Sequence, residues 1–507
     1  MTQKITLFVS AFMLTVATAF AQTWNIGYPN AEDVTATLSE GTLTISGKGA
    51  MQDFKRGNYA PWNSSEKLVI EEGVTTIGLG AFYGCWHLTG SLIIPESVTS
   101  IGAEAFTRCA FTGSLTIPEG VTTIGDFAFF DCSGFSGSLT ISKGVTTIER
   151  SAFSGCSGFT GSLTIPESVT TIEKFAFGGC SGFTGSLAIP ENVTTIEECA
   201  FINCTGFTSL VISEGVTTIG GQTFGYCSGF TGSLIIPESV TTIVDYAFSG
   251  CSGFTGSLII SENVTTIGDC AFGGCGFTSI EVDVNNPSYA SEGGVLFNKE
   301  KTTLMQYPAG KTGTYTIPNF VTTIANSAFT GCSGLTGSLI IPEGVTAIGS
   351  SAFGGCSGLT SVTIPESVTT IKGGAFGGCS GLTSITIPSN VTTIEDWTFT
   401  GCTSLTSVSN FVITPQTIDE YVFYGLTLSD ITLYVPHKSL ADYQEAEVWK
   451  EFNIVAMPET GIYDLSAEEA VIVGYYSLSG AKLSQEPQSG VYIIVYSNGK
   501  MEKVFRK

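Results

Sequence analysis

Two histidines in 507 residues leave little room for imidazole chemistry. His87 follows Trp86 early in the chain and His437 lies near its end, so a shared triad or zinc site would need a long fold-back. There is no G-x-S-x-G elbow, no H-E-x-x-H and no phosphate-binding loop. Charge is also scarce: Asp, Glu, Lys and Arg make up 13% of residues, 44 of them acidic and 20 basic. The net charge of −24 repels phosphate backbones and anionic membranes, which disfavours nucleic acid as a partner. Beyond the N-terminus, no apolar run approaches the length of a membrane span. Few ionised side chains, with abundant Gly, Thr and Ser, argue for short strands and turns rather than surface helices.

What the chain has is repetition. The stretch VTTIGDFAFFDC (121–132) occurs in thirteen close copies, starting at Val74, Val98, Val121, Val145, Val169, Val193, Val216, Val240, Val264, Val321, Val345, Val368 and Val391. Their spacing is 23 or 24 residues, apart from one gap of 57. A full unit reads SLTIPEGVTTIGDFAFFDCSGFSG (114–137). Its SLTIP run alternates outward Ser and Thr with inward Leu115 and Ile117, which predicts a short strand. Pro118 and Gly120 mark a turn, after which Val121 and Ile124 face inward again. GDFAFFDC is too short for an independent helix and is expected to make one helical or 3-10 turn, burying Phe129 and Cys132. Units this small bury a core only by stacking. Thirteen or fourteen rungs at ~4.8 Å give a rod or arc roughly 65 Å long. Phe82, Phe106, Phe129, Phe153, Phe177 and their successors to Phe399 would form an aromatic column.

Thirteen of the fifteen cysteines share one repeat position, from Cys85 to Cys402; Cys199 and Cys270 are extras. Equivalent side chains on neighbouring rungs point the same way rather than at each other, so a reduced, buried thiol column is expected. The same-rung pairs Cys199–Cys204 and Cys270–Cys275 could bridge. No C-x-x-C pair occurs, and no metal site is expected of the thiols.

The flanks divide into zones. Lys4, the apolar stretch 5–20 and Ala19-Phe20-Ala21 predict a signal peptide over 1–21, with a mature start at Gln22. Residues 22–65 read as an N-terminal β cap module and 66–428 as the solenoid, with an irregular insertion at about 276–320. The solenoid ends in a degenerate copy, TIDEYVFYGL (417–426). Residues 429–457 flank the array with the helix-like SLADYQEAEVWKEF. Residues 458–507 carry two alternating strand patterns and a basic end of Lys500, Lys503, Arg506 and Lys507, and predict a separate sandwich-like β-module.

The frame L-x-I-P-x-x-V-x-x-I-x-x-x-A-F-x-x-C resembles the BspA-like leucine-rich repeats of bacterial surface proteins, over about three quarters of the chain. The long gap, VDVNNPSYASEGGVLFNKEKTTLMQYPAGKTGTYTIP (282–318), looks like the insertion such arrays carry. TLTISGKGAMQDF…APW (42–62) is similar to the module that precedes them. The resemblance implies a right-handed array with one parallel sheet on its concave face, short helical or 3-10 turns on the convex side and β-modules at both ends. It also implies adhesion to host or bacterial surfaces. YYSLSGAKL…SGVYIIVYSNGKMEKVFRK is similar to the C-terminal sorting domains of type IX secretion in Gram-negative anaerobes, and implies that route of export.

A candidate interaction face follows from the strand pattern. Ser114, Thr116, Ile235 and Ile340 occupy outward positions that mix hydroxyl and aliphatic groups, which suits protein recognition better than small-molecule capture. Beside them Glu72, Glu96, Glu119, Glu167, Glu191, Glu214, Glu238, Glu262, Glu343 and Glu366 recur after each strand, with Lys143 the exception. This rim is either simply solvated or binds calcium weakly or a basic partner. No catalytic or cofactor-binding residue stands out, and no cofactor is expected. Three functions remain: a secreted or surface protein binding a protein or matrix ligand, a structural spacer, and, least favoured, a carboxylate-dependent glycan-active enzyme.

Overall fold

A computed structural model describes residues 21–55, 60–62, 64–457 and, in the tail, 472–477, 482–483, 485–488, 490–496 and 501–506. The expected signal peptide therefore lies outside the described residues, except for Ala21.

The repeats wind into a β-solenoid of about 18 turns. The S-L-x-I segments form one series of parallel strands, for example Leu115–Thr116 with Leu139–Thr140 and Gly337–Ile340 with Leu359–Thr363. The V-T-T-I segments, read from sequence only as two inward side chains, form a second series. Thr147–Ile148, Thr171–Ile172, Thr195–Ile196, Thr218–Ile219, Thr242–Ile243 and Thr266–Ile267 pair in parallel and in register. Val169 and Ile172 are fully buried while the threonines between them face out. Many of these threonine hydroxyls donate to the carbonyl of the equivalent threonine one rung back, as Thr170 does to Thr146 and Thr217 to Thr194.

The GDFAFFDC segment makes successive three-residue turns. Its amides alternate between the segment itself and the next rung. Ala128 donates to Gly125, Phe130 to Phe127 and Cys132 to Phe129, whereas Phe127, Phe129 and Asp131 donate to Arg150, Ala152 and Ser154. Every peptide N–H from Phe127 to Cys132 is thereby satisfied. This alternation places two residues per rung at positive φ. Phe127 (57°) and Asp131 (58°) hold them here, and the second is usually glycine elsewhere, such as Gly179 (76°).

The expected aromatic column exists. From Phe82 to Phe272 successive rings stack at 5.2–5.7 Å. A second column runs beside it, formed by the Phe of S-G-F-T-G, which the sequence reading assigned only to a returning loop. Phe111, Phe135, Phe159, Phe183, Phe207, Phe230, Phe254 and Phe277 stack at 4.9–6.4 Å and are buried. After the insertion, leucines take its place: Leu335, Leu359 and Leu382 are fully buried, and Leu405 nearly so.

The insertion and the flanks supply rungs of their own. Tyr289–Glu292, Val295–Asn298 and Thr303–Gln306 form an antiparallel meander, and Thr303–Gln306 then pairs in parallel with Thr323–Ile324. Tyr307 stands in the phenylalanine position and stacks on Phe329 at 5.1 Å, restarting a column that continues to Phe423. At the N-terminal end Lys67–Ile70 pairs in parallel with Thr42–Gly47. At the C-terminal end Thr432–Val435 and Asn453–Ala456 extend the first series. The helix-like segment is shorter than its sequence suggested, an α-helix over Leu440–Glu445 and a 3-10 turn over Trp449–Glu451.

A buried tryptophan closes the column at each end. Trp62 packs on Phe82 and donates its indole N–H to Ala81. Trp449 packs on Phe423 and donates to Gln416. The terminal rings are thus covered by an apolar face whose single polar atom is satisfied.

The described part of the tail forms a four-stranded antiparallel sheet in the order Lys482–Leu483, Ile472–Ser477, Gly490–Tyr496, Met501–Arg506, whose strands, among the described residues, pair only with one another.

Candidate interaction face

The thiols are the first groups to place, because nucleophiles at such density invite a chemical reading. All fifteen are free and buried. Each column thiol from Cys109 onward donates to the carbonyl of the preceding rung's column aromatic. Cys132 donates to Phe106 at 2.9 Å and Cys180 to Phe153 at 3.0 Å, with equivalents through Cys402 to Phe376 at 3.2 Å. Cysteine here is a small apolar residue that also satisfies one backbone acceptor. Burial pushes Cys85, Cys132 and Cys402 up to about 12 and raises Cys109 and Cys156 as well, where neighbouring cysteines add to the rise. A thiol so hard to ionise is a poor nucleophile. Cys199 and Cys270 occupy the first positive-φ site of the turn and face Gln222 and Ser249, away from Cys204 and Cys275. Neither same-rung pair is bridged.

The two histidines stay apart. His87 lies against Trp86 with ring centroids 3.5 Å apart and the rings tilted by 36°, and His437 opens a 3-10 turn after Thr432–Val435.

Ser114, Thr116, Ile235 and Ile340 are all exposed on the outer side of the S-L-x-I strands. The solenoid does not treat them alike. Thr116, Thr140 and Thr164 form a run of hydroxyls, and then the same column becomes aliphatic. Val211, Ile235 and Ile259 are 55%, 77% and 65% exposed on three successive rungs. Rung spacing of ~4.8 Å makes them one continuous stripe. Ile340, 40% exposed, lies beyond the insertion and does not join it.

The expected acidic rim is present, since each of its glutamates is exposed. Several of these carboxylates cap the following rung. Glu72 accepts from the amides of Glu96 and Ser97, Glu214 from the amide of Ser239, and Glu366 from the hydroxyl of Ser389. Among the described residues no three His, Cys, Asp or Glu side chains converge in a way that could hold a metal ion. Spread along the stack, the carboxylates give an acidic edge rather than a calcium cage.

Sequence reasoning missed a third surface feature. Exposed aromatics sit on the turn side of the stack at positive-φ positions: Phe175, Tyr246 and Trp397 at the first site and Tyr226 at the second. Trp397 stacks on Tyr421 at 4.8 Å and meets Tyr424 edge-on. For the first site the signal was an aromatic residue two places before the column Phe, where other copies carry Ser, Glu, Gly, Cys or Gln; Tyr226 lies two places after its column Phe224.

Comparison with known proteins bears on the fold. The family described as BspA type Leucine rich repeat region (6 copies) matches residues 57–184, 135–255, 230–299 and 322–444. A leucine rich cell surface protein from Faecalibacterium prausnitzii is similar at 24% identity, with 84% of this chain and 93% of that one covered and a TM-score of 0.51. A leucine-rich repeat protein from Bacteroides ovatus shares 22% identity over 71% of this chain and 94% of its own, with a TM-score of 0.39. The pneumococcal vaccine antigen PcpA shares 18% identity over 84% and 97%, with a TM-score of 0.44. No curated protein matches. The family match spans more than half of the chain and coincides with the stacked rungs, so this chain belongs to the BspA type leucine-rich repeat family.

Proposed function

We propose that this is an exported surface protein that binds a protein or matrix ligand through the outer side of its S-L-x-I strands, and that binding serves adhesion. The observation that carries this reading is the stripe of Val211, Ile235 and Ile259, three large aliphatic side chains left in solvent on consecutive rungs. An apolar strip beside an acidic edge suits a partner that offers apolar anchors flanked by Lys or Arg. The family match and the cell-surface neighbour from Faecalibacterium support a location outside the cytoplasm. Among the described residues no helix is long and apolar enough to cross a membrane. The terminal β-sheet then serves as the sorting tag of a type IX route, a role favoured by its self-contained pairing.

The test is a pull-down with residues 22–457 against host matrix and bacterial surface extracts, repeated with Ile235→Glu and Ile259→Glu. Specific capture that both substitutions abolish, while Thr164→Glu leaves it intact, is the expected result. Capture indifferent to the two isoleucines removes the strip from the function and favours a spacer.

A further inference from the structure

On the turn side of the stack, one rung departs from its neighbours. The segment IKGGAF (371–376) places glycine at both residues before the Ala-Phe pair, where the preceding rung has Ser350-Ser351 and the following one Asp396-Trp397. Gly374 has φ 65° and Trp397 63°, so the two are structurally equivalent positions on adjacent rungs. The missing side chains open a hollow of about 600 Å³ lined by Ser351, Gly373, Gly374, Glu395, Asp396 and Trp397, among others. It spans two rung intervals, roughly 10 Å. One face of the Trp397 indole is covered by Tyr421, and the opposite neighbour is the bare Gly374, so that face is left to the hollow.

The charged residues that line the hollow are both acidic, with Lys372 next to it in the chain before Gly373. Glu395 accepts the Gly373 amide at 2.9 Å through one oxygen. The Asp396 carboxylate has no hydrogen-bond partner among the described residues. No Lys or Arg lines the cavity. The chain as a whole carries −24, so an anionic occupant is repelled. An aromatic face is negative at its centre and attracts cations, most strongly when the ring is Trp. We propose that this hollow is a binding site for a cationic side chain, an Arg or Lys of a basic peptide segment. The charged head lies over Trp397, Asp396 and Glu395 accept its hydrogen bonds, and Gly373–Gly374 provide the room. The site lies apart from the aliphatic strip and does not depend on it; either can fail alone.

The experiment is fluorescence anisotropy of a labelled tetra-arginine peptide with the full chain and three variants. Gly374→Tyr fills the hollow with a residue that Tyr246 already shows to be compatible with this backbone. Trp397→Leu removes the aromatic face, and Asp396→Asn removes one carboxylate. Each is expected to weaken binding about threefold to fivefold, in line with a cation–π contact at a partly exposed ring. The first two leave net charge unchanged, so unspecific attraction to an acidic protein cannot depend on them. Wild-type binding that is absent, or equal in Gly374→Tyr and Trp397→Leu, overturns the proposal. So does displacement by methyl glucoside but not by free arginine, which would assign the hollow to a sugar. Circular dichroism of each variant separates lost binding from lost fold.

Discussion

Phe177 sits between Phe153 and Phe201, 5.5 and 5.4 Å away, with none of its surface in solvent. Its neighbours are held by their own rungs and cannot collapse into a void. Phe177→Ala is therefore expected to cost ~3–5 kcal/mol, read from urea unfolding. A midpoint close to wild type would mean that the ring is not in the core. The thiols make a different prediction. Their ordinary value is 9.0, and in the fold Cys85, Cys132 and Cys402 stay protonated to about 12. Between these values the unfolded chain binds fewer protons than the folded one. Stability is thus intact below 9.0 and falls as pH rises through that window, by up to about 1.4 kcal/mol per unit for each such thiol. Urea midpoints under reducing conditions at about pH 8 and about pH 10 check this, and equal midpoints would contradict it.

At the scale of the element, each rung bonds to its neighbours through three sets of contacts: two parallel strand series and the alternating amides of the turn. Equivalent residues recur at 23 or 24 positions, so removing one whole period rejoins matching edges. Deleting residues 138–161 should leave a cooperatively folding protein one rung shorter. Deleting only 138–149 removes both strand segments of one rung and leaves its turn segment, 150–161, directly after Gly137, where a strand is required; this should mismatch the Phe and Cys columns and expose apolar edges. Circular dichroism and size-exclusion chromatography distinguish the two. If both deletions behave alike, nearest-neighbour stacking does not govern this fold.

For the whole molecule, the ends decide what is one body and what is not. Trp62 and Trp449 terminate the phenylalanine column, so the stack is closed within residues 22–457. Among the described residues, the four strands of the tail make no pairing with it. Removing 458–507 should leave the unfolding midpoint of the repeats unchanged. If the tail is the sorting tag, the same truncation should strand the protein in the periplasm, seen by cell fractionation. A truncated chain that still reaches the cell surface would limit the tail to some other role.

The repeat frame by itself determined that rungs stack and that Phe and Cys face inward, because identical residues at a fixed period can only be satisfied by identical surroundings. Phe111 and its successors were hidden within glycine-rich SGFTG, where local composition resembles a loop and only the stack shows a second core column. The use of the thiols was equally hidden, since a donor to the Phe carbonyl one rung away appears only when residues 26 or 27 apart are brought together. The same holds for the surface. Ile235 was legible as an outward aliphatic residue, but its union with Val211 and Ile259 follows from rung spacing. The hollow beside Trp397 depends on Gly374 and Ser351 lying next to it in space, 23 and 46 residues back along the chain. Side-chain direction is a property of the local pattern, whereas adjacency between rungs is a property of the stack, and binding surfaces are built from adjacency.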